Sequence, residues 1–157
     1  MNIEYRKGNL LNDKANILIN AVNKLGIMNG GIALDFKNKF PEMYESYKEI
    51  CRSGKYDQGT CISYYTYEKD KHNGVCIANV LTVDDSLTGN YSFIETGLKQ
   101  LVEILSDSFP ENPIIAIPAL GCGIGGLQKC KILNIIKAVF KETNAVLHLY
   151  NFEEDNL

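Results

Sequence analysis

The sequence predicts a three-layer α/β/α domain built on a mixed, largely parallel sheet. At 157 residues the chain has the length of one domain. Its 45% hydrophobic and 22% charged residues are close to the globular average, which argues against disorder. Predicted strands alternate with predicted helices, and that order favours parallel pairing. We expect the domain to span residues 1–152 and an acidic tail to follow at 153–157.

The amino-terminal third is predicted to hold two strands and two helices. Weak alternation over residues 3–7 suits an edge strand, and the nearly continuous apolar run 15–22 suits a strand buried on both faces. The first glycine loop, residues 26–31, leads directly into a helix that begins at Ile32. Pro41 opens a second helix, since proline is favoured in the first helical turn.

The middle of the chain is predicted to add two strands and a helix. Residues 60–67 are rich in β-forming residues, and 75–82 form a second apolar run. The polar stretch 69–74 between them predicts a turn. A polar loop at 84–90 then leads to a helix over 91–105, whose apolar residues recur on one face.

The carboxyl-terminal part repeats the order of strand, glycine loop and helix. The apolar run 113–120 predicts a buried strand, and the second glycine loop, residues 121–126, follows it. A helix is predicted over 127–140 and a last strand over 145–150.

Charge and cysteine content exclude several classes of protein. A net charge of −3 argues against a broad electrostatic grip on nucleic acid. Five cysteines without a C-x-x-C spacing favour reduced thiols over a disulfide framework or a zinc site, so we expect no metal. No signal peptide is recognisable, and the longest apolar runs, such as Ile114 to Leu120, are too short to span a membrane. We therefore expect a cytoplasmic protein.

The two glycine loops are the informative feature. Each follows an apolar strand, and in a mainly parallel sheet both would emerge at the carboxyl edge, where α/β folds bind ligands. Glycines allow close approach of the backbone, and free amides at helix starts favour an anion. Neither loop contains the G-K-S/T of a P-loop. The pattern predicts a phosphate-containing small molecule, with a diphosphate clamped between the loops.

At these residues the sequence resembles a macro domain, the ADP-ribose-binding module. The matching segments are Gly8-Asn9-Leu10, Asn20-Ala21-Val22-Asn23, the stretch from Gly26 to Ala33, and the run from Ile117 to Leu127. The I-P-x-x-G-x-G-x-G-G-L run is the most specific of them. The resemblance covers about residues 1–150.

The resemblance implies roles for individual residues. Gly8, Asn9 and Leu10 would lie near adenine, and Asn23 would reach the distal ribose. The first loop would wrap the phosphates and that ribose, and the second loop would hold the diphosphate from the other side. Tyr150, Asn151 or Phe152 would pack against adenine or the proximal ribose. The ligand-binding set is Gly8, Asn9, Leu10, Asn20, Asn23, Met28, Gly30, Gly31, Ile32, Ala33, Thr82, Leu120, Gly121, Cys122, Gly123, Ile124, Gly125, Tyr150 and Asn151.

The first glycine loop is similar to the subgroup that contains terminal ADP-ribose glycohydrolases and antitoxins that remove ADP-ribose from DNA. Lysine-dependent members of that subgroup carry the catalytic lysine where this chain has Val83, after Thr82. Valine cannot form a Schiff base with an opened ribose. Some members also use an aspartate where this chain has Gly125. The chain also resembles members that bind ADP-ribose or remove the phosphate from ADP-ribose 1''-phosphate.

We therefore expect a hydrolase of ADP-ribose derivatives, either a phosphatase or an ADP-ribosyl hydrolase, that uses bound water. The candidate catalytic residues are Asn23, Asp84 and Asp85. Asp84 or Asp85 would orient or deprotonate the water. In the alternative, both aspartates belong to a solvated turn and Asn23 only satisfies backbone groups.

Other interpretations stay open. The module could read free or attached ADP-ribose without turnover, or bind a nucleotide or RNA end in the same cleft. ADP-ribosylated protein or nucleic acid is a possible partner; we expect a monomer, no cofactor and no membrane contact. Cys122 could serve as a nucleophile only with a histidine partner, and neither His72 nor His148 is recognisably placed for it.

Overall fold

A computed structural model describes residues 1–66 and 74–153 of the chain. The strands are β1 (Asn2–Arg6), β2 (Ile17–Val22), β3 (Ile62–Thr66), β4 (Cys76–Leu81), β5 (Ile114–Ile117) and β6 (Val146–Tyr150). The helices are α1 (Gly31–Lys39), α2 (Pro41–Arg52), α3 (Tyr91–Ser108) and α4 (Lys129–Phe140), with short 3₁₀ turns at Leu10–Asn12 and Lys55–Gln58. Most of the turn predicted at 69–74 and of the tail predicted at 153–157 lies outside the described residues.

The six strands form one mixed sheet in the order β1-β6-β5-β2-β4-β3. Every neighbouring pair is parallel except β3 and β4, which are antiparallel. Parallel strands need crossover connections, and the helices supply them. The predicted fold class is therefore confirmed.

Helices cover both faces of the sheet, so the molecule has three layers. On one face, α1 and α2 pack Phe36, Met43 and Tyr47 against Leu18 and Ile77 of the sheet. On the other face, α3 and α4 cover a second cluster centred on the opposite side chains of β2, β4 and β5. The alternation of residues along β2 between these clusters explains its nearly continuous apolar sequence, because both faces are buried.

Two predicted boundaries near the second glycine loop are wrong. The strand predicted over 113–120 pairs only over Ile114–Ile117, since Pro118 has no amide hydrogen to continue the ladder. The helix predicted from Leu127 begins at Lys129, because Gln128 is extended (φ −86°, ψ 127°) and is the N-cap. The Leu127 amide donates to Gly121 O at 3.0 Å and closes the loop on itself.

No helix within residues 1–66 and 74–153 has both the length and the apolar character needed to cross a membrane.

Candidate active site

Both glycine loops lie at one edge of the sheet. The first follows β2 and the second follows β5, and these strands are parallel neighbours with Ile17 opposite Ile115. Parallel neighbours end at the same edge, so the loops flank a common space.

The second glycine loop is a compact turn with free amides. Gly121 and Gly126 adopt positive φ angles of 71° and 73°, which favour glycine. Within the loop, the Gly126 amide donates to Gly123 O at 3.1 Å. The amides of Gly123, Ile124 and Gly125 have no hydrogen-bond partner among the described residues. Three consecutive backbone donors are therefore available to an anion.

The first glycine loop presents the open amino terminus of α1. Gly30 is the N-cap and provides no side-chain cap, so the amides of Gly31, Ile32 and Ala33 have no partner in the part of the chain that the structure describes. These donors and the helix dipole favour negative charge at this point. Within this loop, the Met28 side chain is buried and its sulfur lies 3.9 Å from Asn20 Nδ2.

Asn23 braces the segment between β2 and the first glycine loop. Its Oδ1 accepts from the Leu25 amide at 2.9 Å and from the Tyr47 hydroxyl at 2.9 Å. Its Nδ2 donates to Ile27 O at 3.0 Å. Tyr44, one turn earlier on α2, donates to Gly26 O at 3.2 Å. The side chain of Asn23 thus sets the path by which the chain enters the loop.

The loop between β4 and α3 contacts both the end of β2 and the second glycine loop. The Thr82 amide donates to Val22 O at 3.0 Å, which aligns this loop with the end of β2. Val83 and Gly89 form a β-bridge across the loop. The Gly89 amide then donates to Gly125 O at 2.9 Å, so the loop also contacts the second glycine loop.

The two candidate aspartates in this loop differ in their surroundings. Asp84 Oδ1 accepts from the amides of Ser86 at 2.9 Å and Thr88 at 3.0 Å, so this carboxylate shapes the turn. The Asp85 side chain is 69% exposed and lies 3.5 Å from Lys24 Nζ. Of the two carboxylates, Asp85 is the one not used in backbone hydrogen bonds.

The residues expected near adenine lie at the β1 and β6 end of the same edge. Asn9 Oδ1 accepts from the Leu11 amide at 3.0 Å, and Leu10 is buried. Gly8 and Asn151 both have positive φ, at 104° and 64°. Tyr150 and Leu10 are both buried in the same hydrophobic cluster.

The buried carboxylate of Asp13 links residues at the β1 and β6 end of the sheet edge. Asp13 Oδ2 accepts from the Tyr150 hydroxyl at 2.6 Å and from His148 Nδ1 at 2.8 Å. Burial alone raises the pKa of Asp13, but the hydrogen bonds from Tyr150 and His148 outweigh it and hold that pKa below its ordinary value. His148 Nε2 also faces Glu4 Oε2 at 3.3 Å.

Asp13→Asn should therefore lower the free energy of unfolding at pH 7 by about 1–3 kcal/mol, because a hydrogen-bonded carboxylate is lost. A depressed pKa stabilises the fold above the unfolded-state value of about 3.9 and loses that effect as the pH falls further. Urea denaturation followed by circular dichroism should show the gap to wild type closing between about pH 4 and pH 2. Asp35→Asn, at an exposed site on α1, is the control and should match wild type. A gap that stays constant down to pH 2 would contradict the assignment.

Two buried amides lie beneath the first glycine loop. Asn20 on β2 donates through Nδ2 to Asn79 Oδ1 on β4 at 3.0 Å, and both side chains are buried. Asn20 Oδ1 is buried without a partner among the described residues. Asn79 Nδ2 lies 3.5 Å from the sulfur of Met43.

Cys122 lies half-buried in the second glycine loop with its thiol 3.5 Å from Leu120 O. Burial raises the pKa of the Cys122 thiol, which disfavours the reactive thiolate. His148 contacts Asp13 and Glu4 at the other end of the sheet edge. These surroundings do not favour a cysteine–histidine nucleophile.

Sequence reasoning did not single out four residues that shape this region: Lys24, Tyr47, Asn79 and Asp13. Tyr47 was visible only as an apolar position at helical spacing on α2. Asn79 stands within a strand-like run, and a polar residue in such a run was the one available signal of a buried polar pair.

Comparisons with known proteins identify the family. The family model described as Macro domain matches residues 19–136. The DNA ADP-ribosyl glycohydrolase of Mycobacterium tuberculosis is 34% identical over 129 residues, which cover 80% of this chain and 35% of that protein. The ADP-ribose 1''-phosphate phosphatase of Saccharomyces cerevisiae is 40% identical over 70 residues, which cover 43% of this chain and 40% of that protein. The chain thus spans well under half of either relative.

Solved structures show the same fold. The macrodomain of Mycobacterium tuberculosis DarG superposes with a TM-score of 0.82 at 27% identity, covering 96% of this chain and 98% of that chain. The macrodomain of Thermus aquaticus DarG gives a TM-score of 0.80 at 28% identity, covering 96% of this chain and 98% of that chain. Since the family model also matches most of the sequence, the chain belongs to the macro domain family.

Proposed function

We propose that this chain binds ADP-ribose in the space between the two glycine loops and hydrolyses ADP-ribose derivatives there. The observation that carries the proposal is the set of amides on both loops that have no partner among the described residues, at one edge of the sheet. Two relatives whose names describe hydrolysis of ADP-ribosyl or ADP-ribose phosphate bonds support the same function.

Backbone amides suit a diphosphate in an acidic protein. The second glycine loop offers the amides of 123–125, and α1 offers those of 31–33. Main-chain donors and a helix dipole stabilise negative charge without any lysine or arginine. This arrangement is compatible with the net charge of −3.

The order of strands gives the ligand a direction. The residues proposed to contact adenine follow β1 and β6, whereas Asn23 and the β4–α3 loop lie toward the other end. Four strand spacings separate β1 from β4, or about 19 Å. We propose that adenine lies beside Leu10 and Tyr150, and that the distal ribose lies beside the β4–α3 loop.

We propose that Asp85 orients and deprotonates the attacking water. The water oxygen would bond to the reacting atom at the distal ribose, and Asp85 would take a proton from that water. The bond to the attached group would break, with its electron pair staying on that group, which would take up a proton from solvent. Asp85 is favoured over Asp84 because the latter holds its own turn through two backbone amides. Val83 provides no nucleophile, so the scheme uses no covalent intermediate.

Of the two proposed activities, we rank ADP-ribosyl hydrolysis first, because the glycohydrolase relative aligns with 80% of this chain. Phosphatase activity is the second candidate, favoured by the 40% identity over 70 residues. ADP-ribosylated nucleic acid and ADP-ribosylated protein are the proposed macromolecular substrates. We further propose a cytoplasmic protein, which five unpaired cysteines support, and a monomer.

Calorimetry with ADP-ribose tests binding, and the absence of heat at millimolar ligand would refute it. Incubation with an ADP-ribosylated oligonucleotide, an ADP-ribosylated protein and ADP-ribose 1''-phosphate then tests turnover, with released ADP-ribose and inorganic phosphate as readouts. Binding without product from any of the three would make the chain a reader of ADP-ribose.

Asn23→Ala should weaken ADP-ribose binding about tenfold, which corresponds to about 1.4 kcal/mol. The variant removes the hydrogen bonds to Leu25, Tyr47 and Ile27. The segment that leads from β2 into the first glycine loop then loses the contacts that hold its conformation. Tyr47→Phe is the matched variant, since it removes only the hydroxyl and should weaken ADP-ribose binding less than Asn23→Ala does. Calorimetry at pH 7 measures both, and unchanged affinity in Asn23→Ala would show that this brace does not shape the ligand site.

A further inference from the structure

Lys24 connects three segments at the distal end of the proposed cleft. It follows Asn23 directly, and its Nζ lies 2.7 Å from Asp57 Oδ1 and 3.5 Å from Asp85 Oδ1. Asp57 belongs to the 3₁₀ turn after α2, and Asp85 to the β4–α3 loop. The lysine side chain is 24% exposed, so most of it lies against the protein surface.

The backbone that carries Lys24 is held on both sides. Its neighbours Asn23 and Leu25 share a hydrogen bond of 2.9 Å, which makes the segment a closed turn. Upstream, the Thr82 amide binds Val22 O and aligns this turn with the start of the β4–α3 loop. The close contact with Asp57 fixes the tip of the side chain. Lys24 is thus a charged group with a defined position.

The Asp85 side chain contacts Lys24 rather than its own loop. The β4–α3 loop is fixed at its base by the contact of Gly89 with Gly125 O and at its turn by Asp84. The Asp85 side chain makes neither kind of contact, and Lys24 is its only charged partner in residues 1–66 and 74–153. A carboxylate that is 69% exposed samples several rotamers unless a partner restricts it.

We propose that Lys24 is a positioning residue that holds the Asp85 carboxylate toward the distal ribose, with Asp57 as the anchor of Lys24. This inference rests on the proposed function, because it concerns the carboxylate assigned to the attacking water. General-base catalysis requires that carboxylate within hydrogen-bond reach of the water. An ion pair that selects the correct rotamer raises the fraction of molecules that are ready to react.

Lys24→Met should lower kcat three- to tenfold and leave the affinity for ADP-ribose unchanged, because exposed ion pairs are weak and lie outside the diphosphate loops. Lys24→Arg should restore most of kcat. Lys48→Met is the matched control: Lys48 has a similar exposed fraction of 28% and pairs with Glu45, but makes no ion pair with the β4–α3 loop. Its kcat should equal that of wild type.

Salt gives a readout that a merely structural role would not change. The attraction between exposed charges is screened at separations beyond about 10 Å in 0.1 M salt and beyond about 3 Å in 1 M salt. At saturating substrate, the kcat of wild type should fall with added NaCl toward that of Lys24→Met, and the variant itself should be insensitive. Full kcat in Lys24→Met beside an inactive Asp85→Asn would overturn the positioning role and leave the proposed function intact.

The pair is also measurable without turnover. The hydrogen bond to Asp57, and then the charge of Asp85, hold the pKa of Lys24 above its ordinary value. In an NMR titration of the lysine side chain, Asp85→Asn should lower that pKa and Asp57→Asn should lower it more. An unchanged pKa in Asp85→Asn would overturn the inference whether or not the protein is a hydrolase, whereas a lowered pKa with no turnover by wild type would count against the proposed function alone.

Discussion

Gly123→Val should reduce ADP-ribose affinity at least a hundredfold and leave the free protein folded. Gly123 does not adopt a left-handed φ, and a Cβ built there meets no atom within 4 Å, so valine is accepted by the unliganded chain. The added side chain projects beside the amides proposed to bind the diphosphate and prevents close approach of the phosphate. Loss of the diphosphate contacts removes the main polar anchor of the ligand.

Gly125→Ala is the contrasting variant, because its Cβ would lie 2.7 Å from Gly121 O. That change should lower the melting temperature, whereas Gly123→Val should not. Calorimetry gives the affinities and thermal denaturation gives the stabilities. If Gly123→Val binds ADP-ribose as tightly as wild type, the second glycine loop is only a connector between β5 and α4.

Asp85→Asn should reduce turnover by a factor of about 10²–10⁴, the range typical for loss of a general base. The asparagine amide cannot accept the proton from water, but it has the same size and leaves the diphosphate loops unchanged. ADP-ribose binding should therefore stay within twofold of wild type. Steady-state kinetics with saturating substrate separates the loss of kcat from any change in KM.

Asp84→Asn is the matched control for that experiment. An asparagine Oδ1 can still accept from the amides of Ser86 and Thr88, so the turn is kept while the charge is removed. Its turnover should stay within threefold of wild type. The reverse result, an inactive Asp84→Asn and an active Asp85→Asn, would identify Asp84 as the general base and refute the assignment to Asp85.

The sheet and its loops were predictable because their signals are local. The apolar run 15–22 and the first glycine loop lie next to each other in the sequence, so the strand, the turn and the start of α1 were predicted together. The end of β5 was misplaced because apolar character continues to Leu120 while pairing stops before Pro118. Hydrophobicity reports burial, whereas pairing also needs an amide hydrogen.

The side-chain contacts around the site were less predictable because they join distant parts of the chain. Lys24 meets Asp57 and Asp85 across separations of 33 and 61 residues, and Asp13 meets His148 across 135. No periodic pattern encodes such pairs. Asn23 shows the related difficulty that a residue type fits several tasks: the sequence allowed either a ribose contact or a backbone brace, and the structure displays the brace.

The Asn20–Asn79 pair has a consequence for strand alignment. These residues are direct partners in the β2–β4 register, and both are surrounded by apolar side chains. A slip of two residues keeps every side chain on its proper face and so is not opposed by hydrophobic burial alone. Such a slip would, however, place each side-chain amide beside an apolar side chain. The free energy cost is about 1–3 kcal/mol for each polar group that loses its hydrogen-bond partner. The Asn20–Asn79 pair thus fixes the register of β2 and β4. It thereby also fixes the position of Asn23, after β2, relative to the β4–α3 loop at the mouth of the cleft.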